Sequence, residues 1–553
     1  MRSVARLTVW IQPLWLAAMM AFGAWISIQS GLDTNWDLAN YHFYNGYAFL
    51  NDRLDVDIAV CQIQTYFNPA LDTLTYLLIR SLRPVEYGLV MGALHGINLY
   101  LLFLIAHRTL SIRRPFWRVI AAAALSLGGA LGIVFLAEIG TCFHDLIVSL
   151  FILSALFILI RPDTFSPGGR TAQALLASGM FLGIATGLKL TTALYSLAAL
   201  LSLALTIPGL RGRIRTLLWT GSGAFIGFLI SYGHWAISLW KRFRNPFFPN
   251  FNALFRSSFF EPVNITDDRF LVRSLASALE FPIRVLSCGW QFGEMRLRDY
   301  RPAVLITLTI IAGSIILIKL PGRRTDTPDR IATFRSDLFL ILFVLIGYAV
   351  WIRLFGVYRY LAVIDILFPV TILILLRCAL RSDRIAVILA VAACWGGLWF
   401  EDVPSWGRTA WGDDSMCIDL SAIDTTLPTQ VLVGSHQPVS YLIPYFPSHF
   451  EFLRLQSNFH DLDVPNTDLD RVIESRIRHW NSDRLLLIPS GHDHESDGIL
   501  FRLGLKRVDH PLEIVNCFCY PPIHLYRLES IGDAARDQGR PRHQFRKTEG
   551  ESR

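Results

Sequence analysis

The chain has 553 residues, of which 53% are hydrophobic and only 17% are charged. Soluble globular domains carry a larger charged fraction, so this balance excludes an ordinary soluble protein and indicates a polytopic membrane protein. The formal net charge of +7 comes largely from short arginine-rich loops. It therefore points to contact with anionic lipid and away from a nucleic-acid partner.

Eleven long apolar segments are predicted to form transmembrane helices, because a helix needs about 20 mostly apolar residues to cross a bilayer. They lie near residues 8–28, 86–107, 118–138, 145–161, 172–188, 191–208, 216–237, 302–319, 336–354, 361–377 and 385–400. We interpret the first segment as a retained anchor, since it is long and no clear small-residue cleavage site precedes the polar loop.

The arginines between these segments predict the orientation, because cytoplasmic loops hold an excess of positive charge. They fall in alternate loops: Arg2 and Arg6; Arg108, Arg113, Arg114 and Arg118; Arg161 and Arg170; Arg211, Arg213 and Arg215; Arg323, Arg324, Arg330 and Arg335; Arg377, Arg381 and Arg384. The N-terminus is then inside and the C-terminus outside, with segments 29–85, 238–301 and 401–553 outside. In a bacterium this corresponds to the inner membrane and the periplasm.

The chain is predicted to divide into a membrane domain, 1–400, and a smaller outer domain, 401–530. Apolar runs of strand length appear in the second part, namely QVLVGS at 430–435, RLLLIPS at 484–490 and IHLYRL at 523–528. These runs, separated by polar turns, are typical of a small extracytoplasmic α/β domain. Residues 531–553 have no apolar periodicity and are predicted to be a disordered tail.

Eight cysteines are too few and too scattered for a disulfide scaffold. On the oxidising side of the membrane, Cys417 is placed to form a bridge with Cys517 or Cys519. The CxC spacing of the last two has no second pair, so the sequence indicates no zinc site there.

Charged residues lie at the ends of several predicted helices, where their insertion cost of roughly 2.5–3.5 kcal/mol favours sites or cavities. Asp37 follows the first helix within NWDLANYHFYNGYAFL, 35–50, a stretch that also holds Trp36, Asn40, Tyr41, His42, Tyr44 and Asn45. Glu138 ends the third helix, Asp145 begins the fourth, and Thr141 and His144 lie between them. Lys189 lies in a turn of GIATGLKLTTALY, and Arg353 and Arg359 bracket the turn in WIRLFGVYRYL.

By the predicted topology these residues all lie on the outer side, so we expect acids and bases to converge on one face. Rings and amides such as those around Asp37 are common in sugar-binding sites. The alternatives are helix caps or solvated loop acids for Asp37 and Asp145, an interfacial acid for Glu138, and snorkelling or interfacial anchors for Lys189, Arg353 and Arg359.

These motifs resemble the C-type (GT-C fold) integral-membrane glycosyltransferases that use polyprenyl-phosphate sugars. The resemblance covers residues 1–400 in architecture, and its specific part is NWDLANYHFYNGYAFL, EIGTCFHDL and GLKLTTALY. The family has an adjacent acidic pair in its first outer loop. This chain has Asp37 with Asp33 nearby, which leaves open which acid is the base.

The resemblance implies transfer of a hexose or pentose from a lipid-linked donor to a hydroxyl of a glycan, lipid or protein acceptor, with inversion. Asp37 is the expected general base, with Asp145 and Glu138 as further catalytic acids. The expected substrate-binding residues are Trp36, Asn40, Tyr41, His42, Tyr44, Asn45, Thr141, His144, Lys189, Arg353 and Arg359. No protein metal ligand is assigned, and the chemistry admits a divalent metal without requiring one.

Two other functions are compatible with the composition. A transporter or lipid flippase uses buried charges as a substrate path, with sites near the midplane and broken helices in matched halves. A structural membrane protein uses its outer domain as a binding module and leaves Asp37 and Asp145 far apart.

Overall fold

The structure is a computed structural model that describes residues 2–166, 171–287, 294, 296–319, 327–380, 382–397, 403–421, 423, 426–514, 516 and 521–531. The predicted tail beyond residue 531 lies outside these residues. The chain forms two compact units. The first contains Met1–Gly46, Asn68–Phe251 and Val263–Ser415, and the second contains Tyr47–Phe67, Asn252–Pro262 and Met416–Arg553.

Helices make up most of the chain. In order they are α1 (Arg2–Ser30), α2 (Phe43–Leu50), α3 (Ala70–Ser81), α4 (Pro84–Thr109), α5 (Pro115–Ala130), α6 (Ile133–Glu138), α7 (Asp145–Leu159), α8 (Ala172–Leu188), α9 (Ala193–Thr206), α10 (Leu210–Phe243), α11 (Asn252–Phe255), α12 (Leu275–Arg284), α13 (Arg301–Lys319), α14 (Pro328–Leu354), α15 (Ala362–Ala379), α16 (Asp383–Gly396), α17 (Asp468–His479) and α18 (Asp497–Arg502).

Each of the predicted transmembrane segments contains a helix. Among the described residues, five helices are long and apolar enough to cross a membrane: Ile11–Ser30, Pro84–Thr109, Leu210–Phe243, Pro328–Leu354 and Tyr358–Ala379. Shorter apolar helices are Pro115–Ala130, Asp145–Leu159, Ala172–Leu188, Leu190–Thr206 and Arg301–Ile315. This pattern supports an integral, multi-pass membrane protein.

The predicted third helix is not continuous, because α5 ends at Ala130 and α6 begins at Ile133. Asp365 caps the start of α6: its Oδ2 accepts the backbone N–H groups of Val134 and Phe135, both at 3.2 Å. These are the free donors of the first turn of α6. A Cβ on Gly132 would lie 2.1 Å from the same oxygen, so glycine is needed at this junction.

Close backbone packing joins α8 to α10. A Cβ on Gly183 would lie 1.9 Å from the Ala224 carbonyl oxygen, and a Cβ on Gly223 would lie 2.1 Å from the Leu176 carbonyl oxygen. Small residues permit such approach between apolar helices. Gly183 and Gly223 therefore belong to the packing surface between α8 and α10.

The strands are β1 (Leu32–Asp33), β2 (Arg408–Thr409), β3 (Thr429–Val433), β4 (Glu451–Arg454), β5 (Asp483–Pro489), β6 (Leu505–Ile514) and β7 (Ile523–Ser530). In the first unit, β1 and β2 pair antiparallel. The second unit has a sheet of order β4-β3-β5-β7-β6, parallel across β4, β3 and β5 and antiparallel across the rest. The three predicted strands correspond to β3, β5 and β7.

The second unit takes in part of the first polar loop. Ile58 forms a parallel bridge with Leu453 next to β4, and Arg53 forms a buried ion pair with Asp57. Cys417 is disulfide-bonded, and its two predicted partners, Cys517 and Cys519, lie outside the described residues.

Candidate active site

The segment that holds Asp37 is fixed by the side chain of Asp33. Asp33 Oδ2 accepts the Cys142 backbone N–H at 2.7 Å, and Oδ1 accepts the Asn35 side-chain amide at 2.6 Å. Asn35 Oδ1 in turn accepts the Leu38 N–H at 2.8 Å. The Asp33 carboxylate thus ties the first polar loop to the α6–α7 connection.

Asp37 directly precedes a π-helical turn, Leu38–His42. A π-helical turn is uncommon and is often found at functional sites. Asp37 Oδ2 accepts hydrogen bonds from Arg359 Nη1 at 2.8 Å and from the Tyr41 hydroxyl at 3.2 Å. The Asp37 and Arg359 side chains are 10% and 7% exposed, so this is a buried, charge-assisted contact.

Arg359 also pairs with a second acid and two rings. Its Nε lies 3.2 Å from Glu294 Oε2, and its guanidinium carbon lies 4.6 Å from the Phe143 ring centroid. Arg359 belongs to the short 3-10 turn Tyr358–Leu361 between α14 and α15. Glu294 was not predicted as a site residue, because the sequence around it has no apolar periodicity.

The partly buried Lys189 forms a second ion pair, with the buried Asp145. Helix α8 ends at Leu188, and Lys189 lies at the break before a 3-10 turn, with its Nζ 2.6 Å from Asp145 Oδ2 at the start of α7. Lys189 Nζ and the Arg359 guanidinium carbon lie 5.2 and 5.3 Å from the centroid of the Tyr360 ring. Both cations therefore border the same ring, and the two ion pairs belong to one cluster.

Glu138 is the third predicted catalytic acid. It ends α6 and is completely buried. Neither of its carboxylate oxygens has a hydrogen-bond partner among the residues that the structure describes. The Thr141 hydroxyl donates to the Glu138 backbone carbonyl at 2.7 Å and so closes the turn after α6 without reaching the carboxylate. A buried, unsatisfied carboxylate is costly and is common where a site awaits a partner.

A second cluster in the same unit contains His42, Asp72 and His144. Asp72 was not predicted from the sequence as a site residue. His42 Nδ1 lies 2.6 Å from Asp72 Oδ1, and His144 Nδ1 lies 3.7 Å from the same oxygen. The two imidazole rings are 4.3 Å apart between centroids. Asp72 was not predicted because α3 is amphipathic and does not form one of the predicted transmembrane segments. Its place on the buried face with Thr75 and Ile79 was the available signal.

The pKa values of the titratable groups differ between the two clusters. Burial raises the pKa of the Asp37 carboxyl, but the Arg359 guanidinium lowers it, and the pKa lies below its ordinary value of 3.8. Burial raises the pKa of Asp72 to about 7 and lowers that of His42 to about 3. Asp37 is therefore an ionised carboxylate at neutral pH, whereas His42 is a neutral imidazole.

The remaining predicted site residues fall into two groups. The side chains of Asn40, Tyr41, Tyr44, Asn45, Thr141 and His144 are buried. Trp36 is 37% exposed at the edge of the segment. Arg353 is exposed in the last turn of α14, unlike Arg359. Of the two predicted arginines, Arg359 is the one that the structure places in the acid cluster.

No protein-family model matches the chain, and no curated protein matches it either. Among solved structures, it is similar to ArnT from Cupriavidus metallidurans bound to undecaprenyl phosphate, with a TM-score of 0.45, 11% identity and coverage of 94% of this chain and 98% of that one. It is also similar to the arabinofuranosyltransferase AftD from Mycobacteria, with a TM-score of 0.44 and 15% identity. That match covers 93% of this chain and 40% of AftD. Similarity at this level does not assign the chain to a family.

Proposed function

We propose that the chain is an inverting membrane glycosyltransferase that moves a sugar from a polyprenyl-phosphate donor to an acceptor hydroxyl at the outer membrane face. The observation that carries this proposal is the cluster of two ion pairs, Asp37 with Arg359 and Asp145 with Lys189, whose cations both lie near the Tyr360 ring. Carboxylates and cations at adjoining positions supply the two requirements of the reaction, a base for the acceptor and positive charge for the leaving phosphate.

The reaction is one displacement at the anomeric carbon. The acceptor oxygen forms a bond to that carbon while the bond to the phosphate oxygen breaks, and the electron pair leaves with the polyprenyl phosphate. The acceptor proton passes to a carboxylate, a step worth about 10² to 10⁴ in rate. Asp37 is the proposed base, because its carboxylate is ionised, whereas Asp33 is held by backbone and amide donors.

The leaving phosphate gains negative charge as the glycosidic bond breaks. Arg359 and Lys189 are the proposed groups that stabilise this charge through short, charge-assisted contacts. In the absence of donor these cations neutralise Asp37 and Asp145. A bound phosphate would compete for both cations and so release Asp37 from Arg359, which makes the carboxylate a stronger base at the moment it is needed.

Asp145 and Glu138 are proposed to orient the acceptor and the sugar. Glu138 has two buried oxygens without a partner among the described residues, so hydroxyl groups of a bound sugar can satisfy them. Trp36, at the exposed edge, is proposed as a stacking surface for the sugar. The acceptor is a glycan, lipid or protein hydroxyl, and a bacterial inner membrane with the site toward the periplasm is the proposed location.

A transporter or flippase is the second candidate, because buried ion pairs also occur along substrate paths. Arg301 and Asp365 form another buried pair, and Arg377 and Asp337 form a partly buried one. In that case the chain would move a lipid or solute across the membrane and leave its glycosidic bond intact.

The experiment that separates the two uses purified protein in proteoliposomes that contain a panel of polyprenyl-phosphate sugars, with and without acceptor lipids. A glycosyltransferase releases free polyprenyl phosphate and a glycosylated acceptor, both visible by mass spectrometry. A transporter changes the leaflet in which the intact donor resides. Translocation of intact donor with every bond preserved would contradict the proposed function.

A further inference from the structure

Three side chains outside the ion-pair cluster bring metal-binding atoms together. They are His42, Asp72 and His144, whose candidate ligand atoms all lie within 4.8 Å of one another. All three residues are buried, at 3%, 2% and 7% exposure. They come from three separate elements: the π-helical turn after Asp37, helix α3, and the residue before α7. The fold thus assembles the group from parts of the chain that are far apart in sequence.

The atoms suit a divalent transition-metal ion. Two imidazole nitrogens and one carboxylate oxygen form a ligand set that zinc and similar ions accept. Ligands about 2.0–2.1 Å from a tetrahedral ion lie roughly 3.3 Å apart. The separations from Asp72 Oδ1 to His42 Nδ1 and His144 Nδ1, 2.6 and 3.7 Å, lie on either side of that value. Small rotations of the side chains bring both into range.

Neighbouring side chains hold the atoms that would not touch the ion. Asn45 Nδ2 donates to Asp72 Oδ2 at 3.1 Å. The Thr75 hydroxyl lies 3.3 Å from His144 Nε2, within hydrogen-bond distance. Metal-binding histidines and carboxylates usually have such partners, which orient the ligand and select the nitrogen that faces the ion. These contacts leave Asp72 Oδ1 and His144 Nδ1 as the atoms that can bind the ion, beside His42 Nδ1.

We propose that His42, Asp72 and His144 bind one divalent transition-metal ion of the zinc type. Three protein ligands leave at least one coordination position for water or for a substrate oxygen, as in catalytic zinc sites. The site uses none of Asp37, Arg359, Asp145 or Lys189. It therefore goes beyond the proposed transfer reaction, and metal binding can be tested whether or not the chain transfers a sugar.

The test measures zinc in the full chain, purified in detergent with a tag that contains no histidine. Histidines at the surface are a source of weak binding, and His492 and His494 lie in an exposed loop beside Glu495 and Asp497. We therefore use the His492→Asn, His494→Asn double variant as the parent. After chelation and dialysis against a zinc buffer, mass spectrometry of the metal gives the zinc content per chain and its affinity.

The expected parent content is one zinc per chain. Asp72→Asn and His144→Asn should each weaken zinc binding by more than about tenfold, because loss of a ligand exceeds the 10–100-fold effect of losing an outer partner. The matched control is His95→Asn, which replaces another fully buried histidine whose Nδ1 accepts the Gly140 N–H at 3.0 Å. This control should keep its zinc. Equal zinc contents in the parent, Asp72→Asn and His144→Asn would overturn the proposal.

A second measurement does not depend on the folding of any ligand variant. X-ray absorption of the zinc-loaded parent should show two imidazole nitrogens and oxygen ligands at about 2.0–2.2 Å. A coordination shell without imidazole, or no bound zinc in the parent, would refute the site. Bound zinc together with an inactive chain would leave the site intact and count against the proposed transfer reaction alone.

Discussion

Removal of one partner of the Asp145–Lys189 pair should destabilise the protein more than removal of both. The shortest contact is 2.6 Å, and the side chains are 5% and 18% exposed. Lys189→Met strands a buried carboxylate. Breaking a buried pair costs about 3–5 kcal/mol, and partial access of water to Lys189 favours the lower end. We therefore expect Lys189→Met to lose about 3 kcal/mol of unfolding free energy.

Asp145→Asn combined with Lys189→Met removes both charges and should recover part of that loss. The coupling energy in a double-mutant cycle should be about 1–3 kcal/mol in favour of the native pair. The assay is reversible unfolding in mixed micelles, followed by circular dichroism. Lys241→Met is the matched control, because Lys241 is exposed in the last turn of α10, and it should change stability by less than about 0.5 kcal/mol.

Two results would refute this reasoning. A loss below about 1 kcal/mol for Lys189→Met would mean that Asp145 is solvated in the native protein. Additive effects in the double variant would mean that the two groups do not interact.

Three other predictions follow from single contacts. Asp33→Asn should lower the unfolding free energy by about 1–3 kcal/mol, because an asparagine side chain cannot accept hydrogen bonds from both buried donors. A thermal melt at the temperature of the parent would contradict this prediction. Gly140→Ala should lower the unfolding free energy by more than about 1 kcal/mol, because its φ is +77° and the new Cβ would lie 1.9 Å from the Ser27 hydroxyl oxygen. Gly221→Ala is the control: open space surrounds this position, so the same measurement should show a gain of up to about 1 kcal/mol. Since Arg359 holds the pKa of Asp37 below 3.8, this acid stabilises the fold above that pH and stops doing so as the pH falls through its folded pKa. Arg359→Gln should therefore move the acid limb of the kcat/KM profile, which reports the donor-free enzyme, to higher pH. An unmoved limb would argue against Asp37 as the titrating group.

The sequence predicted the helices well because their signal is local. A run of about 20 apolar residues identifies a helix without knowledge of its neighbours, and the eleven predicted segments each contain one. The gap between α5 and α6 was not predicted from the sequence, and the residue that caps α6 there, Asp365, lies more than 200 residues away in the chain. The same holds for the addition of Tyr47–Phe67 to the second unit. Such contacts are set by tertiary structure and leave no periodic pattern.

The candidate site was predictable where charge interrupts apolar sequence. Asp37, Asp145, Lys189 and Arg359 were identified on that basis, and the structure places all four in two ion pairs whose carboxylates are buried. Their pairing was not predictable, because the sequence gives position along the chain and no distance across it. Asp72 was missed because an acid in an amphipathic helix usually faces water, and only the fold turns it toward the two histidines.

The most direct test of the central claim is the single-turnover rate of sugar transfer by Asp37→Asn in nanodiscs, measured beside Asp52→Asn. Asp52 is an exposed acid of the same polar loop, and its φ of 52° lies in the left-handed region. Asparagine tolerates that conformation, so Asp52→Asn removes a charge without straining the backbone. With donor binding intact, Asp37→Asn should transfer sugar about 10² to 10⁴ times more slowly than the parent, as expected for loss of a general base. Asp52→Asn should match the parent. A parent-like rate in Asp37→Asn would contradict the assignment of Asp37 as the base.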